Sequence, residues 1–194
     1  MMTMTVLYED QAAVKPTNYG PHILVLQCVA DRVGGDPRGD LKPLSNAKPM
    51  KGSGNLRKEL RERGALLQRS GPVVIMVDDD KIRGCYQDLG LARTSCKSQV
   101  IAAIKSECSG VDPGIVLLNQ NMETVLNVCL RALGRPPLNS KPSPEERDQI
   151  LMRCASPAVT PAQRQEILDR VPTLGRLVCI LAGWAVLSRM AEVG

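Results

Sequence analysis

Three groups of carboxylate residues each follow an apolar segment of the chain. Glu9 and Asp10 follow TMTVLY, Asp78 to Asp80 follow PVVIMV, and Glu123 comes shortly after GIVLL. Carboxylates that converge without partners repel one another, and this repulsion is relieved by basic side chains or by a bound cation. Mg²⁺ and Mn²⁺ prefer carboxylate oxygens as ligands. We therefore predict a divalent-metal site formed by Glu9, Asp78, Asp80 and Glu123.

The run of three aspartates predicts which of them share a metal. In an extended chain, residues two apart point to the same side, so Asp78 and Asp80 would act together while Asp79 points elsewhere. Each acid also has a structural interpretation. Glu123 would stabilise a helix N-terminus, Asp80 would cap a turn, and Glu9 would be a solvated strand end.

Alternating strands and helices must position these acids. Short β-branched or apolar runs predict three strands, and apolar residues at helical spacing predict the helices between them. The strands are 3–8, 72–77 and 114–118, and the helices are 22–33, 55–70, 95–108 and 121–133. This order is typical of an α/β protein with a mainly parallel sheet flanked by helices, in which functional groups gather at the carboxyl ends of strands. Residues 34–54 show no clear period and are predicted to form a long loop.

The character of the chain changes after Gly134. Residues 135–144 are rich in proline and polar residues and predict a linker. Ser143-Pro144 and Thr160-Pro161 are strong helix starts, and they predict helices over 144–154, 161–171 and 174–190. We therefore expect an α/β domain over 1–134 and a small helical appendage over 143–194.

Composition limits the class of protein. The chain has 194 residues, of which 43% are hydrophobic and 23% charged, as in globular proteins. The net charge of +5 permits a nucleic-acid partner without requiring one. Seven scattered cysteines without a CxxC pair favour reduced core thiols in a cytoplasmic protein. The start shows no signal-peptide pattern, and the uncharged run 177–188 is too short to cross a bilayer, so we expect no membrane association.

The motifs VLYED, VVIMVDDDKIRG and LLNQNMETVL together resemble the Toprim fold. That fold is shared by topoisomerases, bacterial primases and OLD-family nucleases. Glu9 matches the glutamate after the family's first strand, and Asp78 and Asp80 match its Asp-x-Asp pair. Glu123 matches a further acid in the nuclease-like branch. The resemblance covers residues 3–134.

The resemblance implies Mg²⁺-dependent cleavage of phosphodiester bonds. A metal held by Glu9, Asp78 and Asp80 would activate water and neutralise the phosphate, with a second metal near Glu123. Relatives of this kind occur in bacterial anti-phage defence beside an ATPase or sensor subunit, or as homo-oligomers. We expect nucleic acid to contact a basic set: Arg57, Lys58, Arg61, Lys81 and Arg83. The alternative is that the basic helix is a solvated face, with Glu59 and Glu62 as partners.

Further interpretations remain open. The family has Gly after its glutamate, whereas Asp10 follows Glu9, and this difference favours an interaction subunit with weak or no catalysis. An Asp-x-Asp pair after an apolar strand also occurs in nucleotide-sugar transferases. The GSGN segment at 52–55 could hold a phosphate at a helix start, although it follows no predicted strand. His22 could be a proton shuttle or a structural histidine at the start of a helix.

Overall fold

A computed structural model describes residues 2–9, 19–118 and 121–193. The chain is an α/β protein with a four-stranded parallel sheet flanked by helices, which confirms the predicted fold class. In chain order the elements are β1 (Met4–Tyr8), α1 (Gly20–Val33), β2 (Ser45–Pro49), α2 (Ser53–Ser70), β3 (Val73–Asp78), α3 (Asp79–Cys85), α4 (Lys97–Ser106), β4 (Gly114–Leu118), α5 (Met122–Ala132), α6 (Pro144–Cys154), α7 (Pro161–Arg170) and α8 (Pro172–Val193).

The chain divides into two compact units. The α/β unit contains residues 2–13 and 46–119, and the helical unit contains residues 14–45 and 120–194. The predicted segments 1–134 and 143–194 do not coincide with these units, because α1 and α5 belong with α6, α7 and α8. Packing between elements distant in sequence produces this division, and no change in local composition marks it.

The sheet has the strand order β2-β1-β3-β4. β3 pairs in parallel with β1 on one side and with β4 on the other, so that Leu7, Ile75 and Ile115 are aligned across the sheet. Residues Val73 to Val77 are all buried, as expected for the central strand of a covered parallel sheet.

The core of the α/β unit is aliphatic and covers one face of the sheet. Leu7, Ile75 and Ile115 point to this face because alternate strand residues point to the same side. They pack against apolar residues four positions apart on α2 (Leu56, Leu60), on α3 and just after it (Ile82, Tyr86), and on α4 (Val100, Ile104). Burying a side chain of this size stabilises the fold by about 1.5–3 kcal/mol.

Two elements differ from the sequence prediction. Residues 34–54 form a π-helical turn (Pro37–Leu41), a 3-10 turn (Lys42–Leu44) and β2, and the prediction of a long loop was therefore wrong. SNAKP has no apolar alternation, and its position beside β1 makes it a strand. The second difference is α3, which begins at Asp79, immediately after β3.

The helical unit is built around α1. This helix packs against α6 and α8, while α5 packs against α6 and α7. Ser143 and Thr160 cap α6 and α7 with reciprocal capping boxes, as their sequence signals predict.

α8 is longer than the predicted helix. Residues Pro172–Ala191 have a mean hydropathy of 1.5, so this helix is, by length and composition alone, long and apolar enough to cross a membrane. The uncharged run 177–188, which was predicted to be too short to cross a bilayer, is only the middle part of this helix. Leu177, Val178 and Leu181 are buried, and the Trp184 indole donates to the Leu44 carbonyl at 3.1 Å. These contacts pack one side of α8 against the rest of the helical unit, and 33% of the apolar window is buried.

Candidate metal centre at the carboxyl end of the sheet

Glu9 and Asp78 lie at the carboxyl ends of two neighbouring strands. The strand order reverses between β1 and β3, because β2 lies on one side of β1 and β3 on the other. Ligands of open parallel sheets bind at such a reversal, beyond the carboxyl ends of the strands. The structure brings the two residues together: the Asp78 main-chain N–H donates to Glu9 Oε2 at 2.9 Å.

Glu9 is held by several elements of the α/β unit and is only 4% exposed. Its N–H donates to the Met76 carbonyl at 3.0 Å, and its carbonyl accepts from Gly52 at 2.7 Å. Its carboxylate accepts from the Ser53 hydroxyl through Oε1 and from Asp78 through Oε2. Each carboxylate oxygen can accept a second bond, so Glu9 keeps the capacity to bind a cation.

Asp78 has a cationic partner at the surface. Its Oδ2 lies 2.5 Å from Lys81 Nζ, three residues further along the chain, and the Lys81 side chain is 45% exposed. Asp79 is bound by the Arg83 guanidinium through contacts of 3.1 and 3.0 Å, and Arg83 also donates to the Ser95 carbonyl. The Lys81 ammonium shows that a cation is accommodated beside Asp78.

The predicted alternation of the aspartates was wrong. Asp78 is the last residue of β3, whereas Asp79 and Asp80 are the first residues of α3. Successive residues on a helix are about 100° apart, so the two-residue spacing of a strand does not apply. Acidic residues favour a helix N-terminus, which explains why the helix starts here. The Asp80 side chain lies outside the described residues, and its metal role remains a prediction.

Glu123 is in the first turn of α5. Asn121 caps this helix by accepting from the Thr124 N–H at 2.9 Å. Glu123 therefore belongs to the helical unit, whereas Glu9, Asp78 and Asp80 belong to the α/β unit. Its predicted role as a further metal ligand is still a prediction.

The set of acidic side chains at this edge is small. Within residues 2–9, 19–118 and 121–193, no group of three or more His, Cys, Asp or Glu side chains is arranged to hold a metal ion. Mg²⁺, however, commonly keeps several waters and binds through one or two carboxylates together with substrate phosphates. Glu9 and Asp78 bring two carboxylates to this edge, which is the number that such a cation commonly takes from a protein.

The predicted nucleic-acid-binding residues fall into two groups. Lys81 and Arg83 bind Asp78 and Asp79, and Arg57 binds both Glu107 and Asp88 and lies 4.8 Å from the Tyr86 ring centroid. The Arg57 guanidinium lowers the pKa of Glu107 and of Asp88. Arg57 therefore joins α2 to the α3–α4 region. The other two cations of the set, Lys58 and Arg61, are exposed.

The approach to α2 holds two residues that the sequence interpretation missed. Ser53 is buried and donates to Glu9. Lys51 has a φ of 59°, which makes it the one non-glycine residue with positive φ among the residues described. GSGN follows β2 directly, so the statement that it follows no strand was wrong. A Gly-Ser pair just before a predicted helix was the available signal, but the missed strand β2 concealed its position.

His22 has a structural environment in the helical unit. It lies in the first turn of α1, and its Nε2 is 3.1 Å from Ser45 Oγ. Burial lowers its pKa to about 4, with the nearby Lys42 acting in the same direction. The imidazole is therefore neutral at pH 7, as expected for the structural interpretation.

No family model, curated protein or solved structure matches this chain. The Toprim resemblance therefore depends on the three quoted motifs.

Proposed function

We propose that the edge formed by Glu9 and Asp78 binds Mg²⁺ or Mn²⁺ and that the protein cleaves phosphodiester bonds in nucleic acid, as a Toprim-type nuclease. The main support is the direct contact between these residues at the reversal of strand order. The cation already beside Asp78 is an exposed lysine in an i,i+3 pair, and such pairs contribute little to stability. A divalent ion can therefore displace it at small cost.

The residues of the edge would divide the work. Ser53 and the Asp78 N–H orient the Glu9 carboxylate, and Asp78 supplies the second carboxylate, with Asp80 joining from the first turn of α3. When bound, the cation would activate water and neutralise phosphate charge. Lys81, released from Asp78, would contact the nucleic-acid backbone.

The proposal extends to the biological setting that the resemblance implies. The protein would be the cytoplasmic effector subunit of an anti-phage defence system. The sequence contains no GxxxxGK[ST] motif, so an ATPase or sensor subunit would supply any nucleotide-dependent step.

The test is cleavage of labelled DNA and RNA in Mg²⁺, Mn²⁺ or EDTA, by the protein alone and with the products of neighbouring genes. Asp78→Asn should lower the rate by about a hundredfold or more, since loss of a metal ligand removes several kcal/mol of transition-state stabilisation. Asp112→Asn is the matched control, because its side chain is 83% exposed. Cleavage that is equal in both variants, or absent with every partner, would overturn the proposal.

A second candidate is an interaction subunit without turnover. It is favoured by the burial of Glu9 and by the fact that both of its carboxylate oxygens already accept hydrogen bonds. Titration calorimetry with Mg²⁺ separates the candidates. Binding that disappears in Asp78→Asn supports the nuclease, whereas undetectable binding together with a stable complex with a partner protein supports the interaction subunit.

A further inference from the structure

The helical unit contains a cleft of about 620 Å³ where the end of α5 meets the last turn of α6 and the start of α7. Its volume is within the range of ligand sites. Among the described residues, two arginines, Arg135 and Arg153, line it and no carboxylate does. The other lining residues are Ala132, Leu133, Gly134, Ser156, Ala158 and Gln163.

These arginines differ from those that the fold uses. Arg57, Arg83 and Arg164 are each bound to a carboxylate. The guanidinium groups of Arg135 and Arg153 have no hydrogen-bond or ion-pair partner within the described parts of the chain. The cleft therefore holds two positive charges that no described residue of the chain pairs with.

The other polar groups that line the cleft already form hydrogen bonds within the protein. Ser156 Oγ donates to the Arg153 carbonyl at 2.7 Å, and Gln163 Nε2 donates to the Ala132 carbonyl at 3.2 Å. Gly134, with a φ of 65°, turns the chain at the end of α5, and the Arg135 N–H returns to the Leu130 carbonyl at 2.9 Å. These bonds fix the wall and leave the two guanidinium groups to receive a ligand.

We infer that this cleft binds a backbone phosphate of a nucleic-acid strand through Arg135 and Arg153. A guanidinium presents paired donors that match phosphate oxygens, and two of them in one concave site favour an anion with several acceptors. The inference rests on the proposed function for its choice of nucleic acid. It makes the cleft a substrate-holding site in addition to the acidic edge.

The experiment measures binding of a labelled single-stranded oligonucleotide by fluorescence anisotropy, in EDTA so that no cleavage occurs. Arg135→Ala/Arg153→Ala should weaken binding about tenfold or more. It should also reduce the slope of log affinity against log salt by about 0.7, since the cleft holds one phosphate and each phosphate contact with a single strand contributes about 0.7. The control is Arg38→Ala/Arg176→Ala, which removes the same charge from two exposed positions of the helical unit.

The outcomes separate this inference from the proposed function. A loss specific to the cleft variant supports the inference even if no metal-dependent cleavage is ever found. Equal losses in both double variants would mean that only net charge matters, and this would overturn it. Binding of a free mononucleotide at the cleft, with no effect on strand affinity, would also overturn it.

Discussion

The acidic edge of the α/β unit and the Arg164 cluster of the helical unit handle charge in opposite ways. At the edge, Asp78 is paired with Lys81, a side chain 45% exposed to solvent. In the helical unit, Arg164 has a side chain only 5% exposed and binds Asp31 through Nε at 2.5 Å and Nη2 at 2.9 Å. Its Nη1 also donates to the carbonyls of Cys154, Ser156 and Val159.

The difference shows which charges are available for chemistry. All three guanidinium nitrogens of Arg164 donate hydrogen bonds that join α1 to the turn between α6 and α7, so this arginine is structural although it lines a cavity with Cys28. The Lys81 ammonium, by contrast, can leave Asp78 and be replaced by water or by another cation. Charge that is buried and fully bonded stabilises the fold, whereas charge that is paired at the surface can be exchanged.

The largest effect is expected from removing Arg164, the buried and hydrogen-bonded charge of this comparison. Arg164→Ala should lower the free energy of unfolding by about 3–5 kcal/mol, because it leaves Asp31 and three carbonyls without their partner. Urea denaturation measures the change. Arg170→Ala, at an exposed pair four residues from Glu166, is the control and should change stability by less than about 1 kcal/mol. Similar values for the two variants would contradict the contrast.

The next largest effect is the pH dependence of stability that His22 causes. The folded pKa is about 4, whereas an unfolded histidine titrates near 6.5. As pH falls through this window the unfolded state binds the extra proton, so the free energy of unfolding should fall by about 3 kcal/mol. Denaturation at a series of pH values measures it. His22→Gln should flatten the curve between pH 6.5 and 4, and an unchanged slope would show that other groups cause it.

Glu9→Gln tests the edge itself and should lower stability by about 1–2 kcal/mol. Glutamine keeps one accepting oxygen, but its amide nitrogen cannot accept a hydrogen bond, so either Ser53 or the Asp78 N–H loses its acceptor. Ser53→Ala, which removes one of the two bonds, is the comparison and should cost less. A Glu9→Gln variant that is as stable as the parent would mean that the carboxylate is not held as described.

The smallest expected effect on stability comes from Lys81→Ala, at less than about 0.5 kcal/mol. The same variant should bind Mg²⁺ more tightly by calorimetry, because Asp78 no longer has a competing ammonium. Lys105→Ala is matched in exposure at 45% and pairs with the solvated Asp112. It should leave Mg²⁺ affinity unchanged. Tighter binding in both variants would indicate only a general change in net charge.

Much of the fold could be predicted because its signals are local. PVVIMV is apolar throughout and becomes the buried central strand, and Ser143 and Thr160 carry complete capping signals. β2 could not be predicted, since SNAKP becomes a strand only beside β1. The short helix α3 was not predicted, because consecutive aspartates are equally compatible with the extended end of a strand and with the start of a helix.

The candidate site could be predicted only in part. The approach of Glu9 and Asp78 follows from adjacent parallel strands ending in acids. Their partners, the Ser53 hydroxyl for Glu9 and the Lys81 ammonium for Asp78, depend on where α2 and α3 begin. Glu123 follows a strand in sequence, yet it belongs to the helical unit, a grouping that depends on packing between distant elements.

The sequence by itself determined the parallel α/β class, the aliphatic core, most helices and the acidic ends of β1 and β3. Each of these follows from hydrophobic period or from residue type over a few neighbouring positions. Only the tertiary structure decided that Glu9 is buried and accepts two hydrogen bonds, that Asp78 pairs with Lys81, and that Arg135 and Arg153 share a cleft. Most of these contacts join residues that are distant in sequence. A hydrogen bond or ion pair forms only at specific distances and angles, and the packing of the folded chain decides which groups reach them.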